Sequence, residues 1–379
     1  MSIWVEDTAR NVLAVWAGEA YAQASVEAAV LSPFCTPKKQ DWKQSAEQTI
    51  QRLQDAGLKV WFDAETHALQ MPAVGFFRYY NSWNLWSGAV GVLGTESDMR
   101  DHVKRVFATQ DALGVPHLGP TMLLHAAQSA TSQSALDLSR IAKEEDPNCW
   151  LSVAGDPTFW GSGALLDGHV GALAQLAPQG WFLTVCRPLA MVPVPAIPSE
   201  VFGVCRTARA LSENARVHVS HGDYAALPAV AAGAHSLGTG WDVRQKVSAY
   251  SSYAAPEPES EGGQWFSQAS HQGLLSFLVR GDAQALATSD PALSARLVPG
   301  AVPPGPKDAW LHHAAVLKDV SRSLEVSHEE AFQRLKGAYE TASTEWGVVA
   351  GTLNIASQRD AWISPLLAGL LAYGQAEGY

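Results

Sequence analysis

The sequence predicts an α/β protein built on a (β/α)8-type, TIM-like barrel, irregular in part, with a C-terminal helical extension. Short apolar runs alternate with longer segments of helical periodicity, which is the pattern of βαβ units and a parallel sheet. The chain has 379 residues, 47% of them hydrophobic, enough to bury the core of one large barrel domain. A doubly wound open sheet is the alternative, but no GxGxxG fingerprint follows the first predicted strand.

Seven predicted strands carry this alternation, and an eighth is not obvious. The eighth strand is expected at 89–93 or after residue 263, or is missing. The residues before about 26 are predicted as helix, because Val12, Val15 and Trp16 recur at helical spacing. The seven strands are centred near residues 30, 60, 121, 151, 183, 218 and 236, and the helices between them are predicted at 44–56, 98–113, 133–145, 163–176, 199–214 and 224–232.

The chain is predicted to divide into a barrel (1–253), a linker and helix (254–308) and a C-terminal helical extension packed on the barrel (309–379). Polar, proline-rich breaks at 254–263 and 298–307 delimit the middle part, in which 265–287 is predicted as a helix. Adjacent histidines on a helix point about 100° apart. We therefore expect His312 and His313, like His328, to be solvated rather than to chelate a metal. The helices of the extension are predicted at 309–324, 328–344 and 362–373.

Composition limits the classes of function. A net charge of -11 and a pI near 5.5 disfavour non-specific binding to nucleic acids or anionic membranes, which requires a basic surface. Neither a membrane-spanning run nor a secretory signature is recognisable. The four cysteines are scattered without a CxxC pair, so we expect reduced thiols and a cytoplasmic protein without a structural zinc site. Fourteen tryptophans and an apolar tail favour a homo-oligomer or a protein complex.

The first candidate site follows the predicted strand near residue 60. In barrels of this type, functional groups come from the carboxyl ends of the strands. If the strand continues, Asp63, Glu65 and His67 share one face, because side chains alternate with a period of two. Two neighbouring carboxylates split their pKa values and can supply an acid and a base; with a histidine they could hold a divalent cation. The alternative is an Asx-type turn that only closes the strand.

Other strand ends supply further candidates. His221, in the sequence Ser-His-Gly-Asp, is a candidate general acid or base near neutral pH. Asp223 is either a ligand-binding residue or the N-cap of the next helix. Asp156 is a candidate catalytic residue, although Gly-Asp-Pro is also a common turn. Arg187 is a candidate clamp for an anion.

The turn Gly238-Thr239-Gly240-Trp241 is a candidate phosphate cradle. In many barrels the loops after the last two strands bind phosphate through backbone amides and a helix N-terminus. Arg244 and Lys246 lie close by in the sequence and would add positive charge. The alternative is an ordinary tight turn.

The aromatic loop 76–86, with sequence FFRYYNSWNLW, has two possible roles. Long loops in compact domains are usually functional, so Tyr80 and Trp83 could stack on a planar ligand as part of a lid. The alternative is that they pack on the barrel mouth or on a second subunit, since aromatic residues are enriched in interfaces.

The segment 216–246, a strand followed by SHGD, a short helix and AGAHSLGTG, resembles the last βαβ unit of phosphate-binding (β/α) barrel enzymes at the level of the fold. The same stretch is similar to the closing part of tRNA-guanine transglycosylase-like barrels. That family's catalytic aspartate has no counterpart in 236–238, and its cysteine-rich zinc site is absent. No catalytic residue is carried over from this resemblance.

Two functional hypotheses follow. The first is a barrel enzyme that acts on a small anionic or nucleobase-containing ligand by general acid/base chemistry: a hydrolase, a lyase or a glycosyl-transfer enzyme. The second is a non-catalytic barrel scaffold or complex subunit that binds a protein partner through the aromatic loop and the helical tail. The sequence indicates no particular cofactor and leaves the substrate open.

Overall fold

Eight parallel strands form the barrel. The computed structural model describes residues 1–6, 13–41, 43–75, 78–255, 268–298, 303 and 305–379. The strands lie in the order β3-β2-β1-β8-β7-β6-β5-β4, and each hydrogen-bonds to its neighbours in parallel register. They are β1 Ser2–Glu6, β2 Ala28–Leu31, β3 Lys59–Phe62, β4 Leu123–Leu124, β5 Trp150–Gly155, β6 Gly180–Arg187, β7 Arg216–Ser220 and β8 Ser236–Thr239.

Helices alternate with these strands. Ser45, Thr95 and Ser129 each form a reciprocal capping box, which determines where α2, α3 and α4 begin. The helices are α1 Leu13–Ala22, α2 Ala46–Asp55, α3 Glu96–Leu113, α4 Ala130–Glu145, α5 Pro157–Trp160, α6 Ala164–Ala174, α7 Pro198–Ser212 and α8 Leu227–Ala231; after β8 come α9 Val243–Lys246, β9 Ser248–Ala249 and α10 Tyr250–Tyr253. Short 3-10 helices lie at Thr66–Gln70, Tyr80–Trp83 and Asp223–Ala226.

The C-terminal extension packs on the outer helices of the barrel. Its α15 contacts α7, α14 contacts α8 and α13 contacts α1. No helix within the described ranges combines the length and the hydropathy that crossing a bilayer demands. The extension comprises the antiparallel hairpin β10 Gln268–His271 and β11 Ser276–Val279, then α11 Arg280–Ser289, α12 Pro291–Leu297, α13 Pro306–Ser323, α14 His328–Leu353, a π-helical turn Arg359–Ile363 and α15 Ser364–Glu377.

The predicted barrel and its helical extension are confirmed, and three predictions about elements need correction. The eighth strand is β1, at residues 2–6, rather than 89–93 or a segment after 263. The predicted helix before residue 26 is limited to α1, and Val12 lies outside the described residues. Residues 268–279 form a hairpin instead of a helix, because Leu275 takes a positive φ of 45° at the turn. Residues 256–263, 299–302 and 304, within the two predicted breaks, also lie outside the described residues, as do residues 264–267.

The seam between β3 and β4 is bridged by the side chain of Gln110 on α3. Its Nε2 donates to the carbonyl oxygen of Phe62 at 2.9 Å and to that of Leu118 at 3.0 Å. Its Oε1 accepts from the backbone N–H of Leu118 at 3.2 Å. One buried carboxamide thus satisfies three backbone groups on the two sides of the seam, as a neighbouring strand would do.

Replacing Gln110 by methionine is therefore expected to lower the free energy of unfolding by about 3 kcal/mol, since three buried backbone groups lose their partners. Urea unfolding measures the change. Gln133→Met on α4, an exposed side chain that hydrogen-bonds to Asp137, is the matched control and should change stability by less than about 0.5 kcal/mol. Equal effects of the two substitutions would contradict the bridging role.

The barrel lumen is filled at its amino-terminal end by stacked rings. Trp4 lies 5.6 Å from Trp61 and 4.1 Å from the His218 ring, measured between ring centroids. Trp150 and Phe182 complete this aromatic plug. Because side chains alternate along a strand, the residues two positions further along β1 and β7, Glu6 and Ser220, face the same lumen, one layer above the plug. Asp63 directly follows β3.

Candidate active site

Glu6 lies at the carboxyl end of β1 and is buried. Its Oε1 accepts hydrogen bonds from Ser220 Oγ at 2.9 Å and from the backbone N–H of His221 at 3.1 Å, and lies 3.4 Å from His218 Nε2. Gly238 on β8 makes room for this carboxylate, because a Cβ there would collide with Glu6 Oε1. Burial alone would raise the pKa of Glu6, but the charge of His221 and the bonds from His218 and the His221 backbone lower it.

His221 lies between two carboxylates. Its backbone takes a left-handed conformation, with φ of 50°, directly after β7. Its Nε2 lies 4.0 Å from Glu6 Oε2 and 3.7 Å from Glu65 Oε1. Burial alone would lower the pKa of His221, but the carboxylates of Glu6, Glu65 and Asp63 together raise it to about 9. At neutral pH the ring is therefore an imidazolium.

Asp63 and Glu65 are brought into the lumen by a turn. The strand ends at Phe62, so the expectation that residues 63–67 continue it and share one face is wrong. Glu65 takes a left-handed conformation, with φ of 45°, and its N–H donates to Asp63 Oδ1 at 2.7 Å. Ser32 Oγ, at the end of β2, donates to Glu65 Oε2 at 2.6 Å. The Asx-type turn and the carboxylate pair are thus one and the same feature.

Burial and neighbouring charges shift the pKa values of Asp63, His67 and His221 in different ways. Burial and the charge of Glu65 raise the pKa of Asp63 to about 7. Burial lowers the pKa of His67 to about 4, so this ring is neutral. His67 is buried in the 3-10 helix that follows the turn, and its Nε2 has no hydrogen-bond partner among the described residues. The lumen cluster, defined as Glu6, Asp63, Glu65, His67 and His221, therefore contains an imidazolium, a neutral imidazole and a titratable carboxyl group.

Arg187 and Asp156 are engaged outside this cluster. The guanidinium of Arg187 forms a buried bidentate ion pair with Glu200 on α7 and donates to Pro195 O at 3.1 Å. It is therefore not available as the anion clamp that the sequence suggested. Asp156 caps α5 through the N–H groups of residues 158 and 159 and pairs with the exposed His125 at 2.6 Å. Its role here is that of a turn and cap residue.

The side chain of Gln245 fills the turn at 238–241. Gln245 Oε1 accepts from the backbone N–H groups of Trp241 and Asp242, each at 3.0 Å, and its Nε2 donates to Glu6 O. A Cβ on Gly240 would collide with the same carboxamide. The side chain of Gln245 thus occupies the place that a phosphate would need, so the predicted cradle is wrong. Trp241 packs between Trp16 and Trp310, and Arg244 is exposed.

The aromatic loop packs on the barrel mouth. Tyr80 and Trp83 are buried: Tyr80 stacks on Phe34 at 4.5 Å between centroids, and Trp83 lies 4.8 Å from Phe62. Trp83 Nε1 donates to Thr36 O at 3.2 Å. These contacts agree with the packing alternative rather than with a ligand-stacking surface. Residues 76–77 of the loop lie outside the described residues.

A second buried cluster joins the barrel to the extension. Asp223 Oδ2 accepts from Thr239 Oγ1 and lies 3.0 Å from His313 Nε2 on α13. His313 Nδ1 lies 2.6 Å from Ser270 Oγ on β10. Asp223 takes a positive φ of 45° and lies within the 3-10 helix, so its prediction as a helix N-cap is wrong. The expectation that His313 is solvated is also wrong, since this side chain is buried.

His313 is expected to hold the extension on the barrel. Replacing it by leucine leaves a buried carboxylate at Asp223 without its imidazole partner, which costs about 3 kcal/mol of unfolding free energy. Among the described residues, the neighbouring His312 bonds only to a backbone carbonyl, Ser270 O at 3.2 Å, so His312→Leu should cost about 1 kcal/mol. Thermal unfolding of the two variants separates these values. A smaller loss for His313→Leu than for His312→Leu would refute the role of His313.

Glu6, His218 and Ser220 are site residues that sequence reasoning did not select. Glu6 lay in a segment predicted as helix. The sequence signal that could have found it is the run Ile3-Trp4-Val5, which is apolar, rich in strand-forming residues and ends at an acid. His313 could not be found in this way, because its partner is 90 residues distant in the chain.

The fold and this site define a class of protein: a (β/α)8-type barrel with a buried carboxylate–histidine cluster at the carboxyl ends of its strands. The arrangement can transfer protons, because an imidazolium, two glutamate side chains and a titratable carboxyl group lie together away from water. Within the described ranges, no group of three or more His, Cys, Asp or Glu side chains has the arrangement of a metal site.

Comparison with known proteins gives similarity of architecture only. No family model and no curated protein matches the chain. A Thermobacillus composti family 10 xylanase is 13% identical, with 58% of this chain and 67% of that chain covered and a TM-score of 0.33. A psychrophilic family 10 endo-beta-1,4-xylanase is 10% identical, with 62% and 85% covered and a TM-score of 0.36. A Clostridium cellulolyticum D-psicose 3-epimerase is 9% identical, with 58% and 84% covered and a TM-score of 0.32.

At these scores and identities the solved structures carry no argument about chemistry. The resemblance to tRNA-guanine transglycosylase-like barrels finds no support in these comparisons. The chemistry of the site therefore follows from the geometry of the lumen cluster itself.

Proposed function

We propose that the chain is a barrel enzyme that performs general acid/base chemistry in the lumen cluster. The observation that carries the proposal is the approach of two buried carboxylates, Glu6 and Glu65, to the same Nε2 of His221. Buried charges of this kind cost folding free energy, so a cluster of them at the carboxyl ends of barrel strands favours a catalytic role over a structural one.

The pKa values of the cluster residues suggest a role for each of them in the proposed reaction. Asp63, with a pKa of about 7, gives up or takes a proton near neutral pH and is the general acid or base. His221, as an imidazolium, stabilises negative charge that develops on a departing or enolising oxygen. Glu6 holds the His221 backbone and ring in place, and the Nε2 of the neutral His67 can bond to a ligand.

The charge of the cluster indicates the ligand. Glu6, Asp63 and Glu65 supply three carboxyl groups against one imidazolium, Arg187 is paired with Glu200, and the 238–241 turn is filled by Gln245. An anionic ligand would be repelled here. We therefore replace the anionic ligand of the first hypothesis by a neutral, hydrogen-bonding one, a nucleoside or a sugar.

Binding and hydrolysis measurements test this proposal. The wild-type protein is titrated with nucleosides and their 5′-phosphates, and 4-nitrophenol release from 4-nitrophenyl glycosides is followed. We expect the neutral compounds to bind at least about tenfold more tightly than their phosphates. Glu65→Gln should abolish binding or turnover, whereas the exposed Glu47→Gln on α2 is the matched control and should not. Tighter binding of the phosphates would overturn the proposed ligand class.

The scaffold hypothesis remains a second candidate, and one observation favours it. Leu189, Met191 and Ile197, in the segment between β6 and α7, are 59%, 48% and 48% exposed. Exposed apolar side chains that follow one another in a short segment, and that form a contiguous patch, are typical of protein-binding surfaces. Light scattering after size exclusion tests the point: a dimer that becomes a monomer in Leu189→Ser/Met191→Ser would support a docking role, and a monomeric wild type would remove this observation from the argument.

A further inference from the structure

The whole lumen cluster is buried. None of its three carboxyl side chains is more than 8% exposed, and the side chain of His221 is 10% exposed. A nucleoside or a sugar can therefore reach these groups only if a segment at the mouth of the barrel moves aside.

A covering layer of mostly apolar residues lies at the mouth of the barrel, next to the cluster. Cys186 is four positions beyond Phe182 of the aromatic plug on the same strand, β6, so its side chain also faces the lumen. Ala154 holds the corresponding position on β5, four beyond Trp150. The covering layer consists of Ala68, Met71, Leu123, Ala154, Cys186 and Tyr253.

Tyr253 is the member of this layer that comes from α10. Tyr253 is buried, whereas Ser251 and Ala255 on either side of it are exposed, so α10 presents this side chain inward. The ring meets that of Phe34 edge-on, at 5.2 Å between centroids. Burial raises the pKa of Tyr253 well above its ordinary value and the charge of Glu65 raises it further, which agrees with a position beside the lumen cluster.

Backbone contacts with two other loops hold α10 in this place. In one, the Gly75 N–H donates to Tyr253 O at 2.9 Å, beside an isolated antiparallel bridge between Val74 and Ala254. In the other, the Ser251 N–H donates to a carbonyl oxygen of the loop after β6 at 3.2 Å. A helix of four residues has little stability of its own, so the position of α10 depends on these contacts and on the packing of Tyr253.

We propose that residues 250–254 form a lid, which opens locally to admit the ligand to the lumen cluster and closes over it with Tyr253. The ligand's identity rests on the proposed function, whereas the opening itself does not. Opening breaks the loop contacts and uncovers the layer beneath, while the barrel strands stay paired, so it requires much less free energy than global unfolding. Closure then excludes water from the groups that transfer protons.

Alkylation of Cys186 measures the opening without any need for turnover. Cys186, Cys149 and Cys205 are all 0% exposed. Cys149 lies against α4 and Cys205 on α7, both on the outer side of the sheet, so only Cys186 is covered by the lid. When the native protein is treated with iodoacetamide and its peptides are analysed by mass spectrometry, Cys186 should react at least about tenfold faster than the other two. Equal rates for the three thiols would show that only global unfolding exposes Cys186, and would overturn the proposal.

Removing the inward side chain should loosen the lid. We expect Tyr253→Ala to speed the alkylation of Cys186 at least about tenfold and to change the rates of Cys149 and Cys205 much less. Tyr21→Ala, at an exposed tyrosine on α1, is the matched control and should leave the rate of Cys186 unchanged. An unchanged rate of Cys186 in Tyr253→Ala would contradict the sealing role of this residue.

A disulfide across the bridge should lock the lid. The variant Val74→Cys/Ala254→Cys is suited to this, because a bridge pair has its Cα atoms about 5 Å apart. It is made in a Cys35→Ser background, so that this thiol near Tyr253 cannot exchange with the disulfide. The oxidised variant should alkylate Cys186 at least about tenfold more slowly than the reduced one, and should bind the nucleosides or glycosides only after reduction.

The outcomes separate the lid from the proposed function. Rapid alkylation of Cys186 in the oxidised variant, or equal ligand binding by its oxidised and reduced forms, would overturn the lid. Failure of the wild type to bind any of these compounds would count against the proposed function alone, since the alkylation rates report the opening independently.

Discussion

Replacing Gly238 by alanine is expected to destabilise the protein by about 4 kcal/mol. The added Cβ would collide with Glu6 Oε1 and lie 2.9 Å from the backbone nitrogen of His221. Glu6 would have to rotate away, and a buried carboxylate would lose its bonds to Ser220 and to the His221 backbone. Urea unfolding at neutral pH measures the loss.

Two further variants test whether the collision with Glu6 causes the loss of stability. Gly171→Ala on α6 meets no atoms within 4 Å and should stabilise the helix by up to about 1 kcal/mol. The double variant Glu6→Ala/Gly238→Ala removes the group that the methyl strikes, so its loss should be well below the sum of the two single losses. Strictly additive losses would mean that Gly238 is not there to accommodate Glu6.

Replacing Asp63 by asparagine is expected to stabilise the protein at neutral and alkaline pH. The folded-state pKa of Asp63 is raised to about 7, while that of an unfolded aspartate is about 3.9. Between these values the folded state holds a proton that the unfolded state has lost, so this residue's contribution to stability falls as pH rises through that window. Asparagine never ionises and can still accept from the Glu65 N–H, so the gain should reach about 4 kcal/mol above pH 7 and vanish near pH 4.

Unfolding free energies of the wild type and Asp63→Asn at several pH values test whether the stabilisation grows as the pH rises. Asp137→Asn, in an exposed pair with Arg140 on α4, is the control and should show no such trend. A stabilisation by Asp63→Asn that is equal at acidic and alkaline pH, or a loss at alkaline pH, would show that Asp63 ionises freely in the folded state.

The alternation of apolar runs and helices predicted seven of the eight barrel strands, since each of those runs lies between recognisable helices. The strand β1 has only five residues, and its apolar centre was absorbed into the predicted helix that follows it. Glu6, the last residue of that strand, was therefore not predicted as a site residue. Position at a strand end, by contrast, was sufficient to select Asp63, Glu65 and His221, because the architecture alone brings such residues to one end of the barrel.

Long-range partners account for the remaining differences. Arg187 cannot bind a ligand because it pairs with Glu200. The side chain of Gln245 is oriented in the glycine turn by its bond to the backbone of Glu6, which is 239 positions away in the chain. His313, on a helix of the extension, contacts Asp223 of the barrel. The sequence of that helix did not indicate that His313 would be buried against a carboxylate. Composition and spacing cannot show which of several polar side chains will pair once the barrel has closed.

The protonation state of His221 tests the acid/base site most directly. Its imidazole signals are followed by NMR as a function of pH in the wild type and in Glu6→Gln. The proposed site requires an imidazolium in the wild type up to about pH 8, with a midpoint near the pKa of about 9, and a clearly lower pKa in Glu6→Gln. A neutral ring at pH 7 in the wild type, or the same pKa in both proteins, would contradict the account of the lumen cluster.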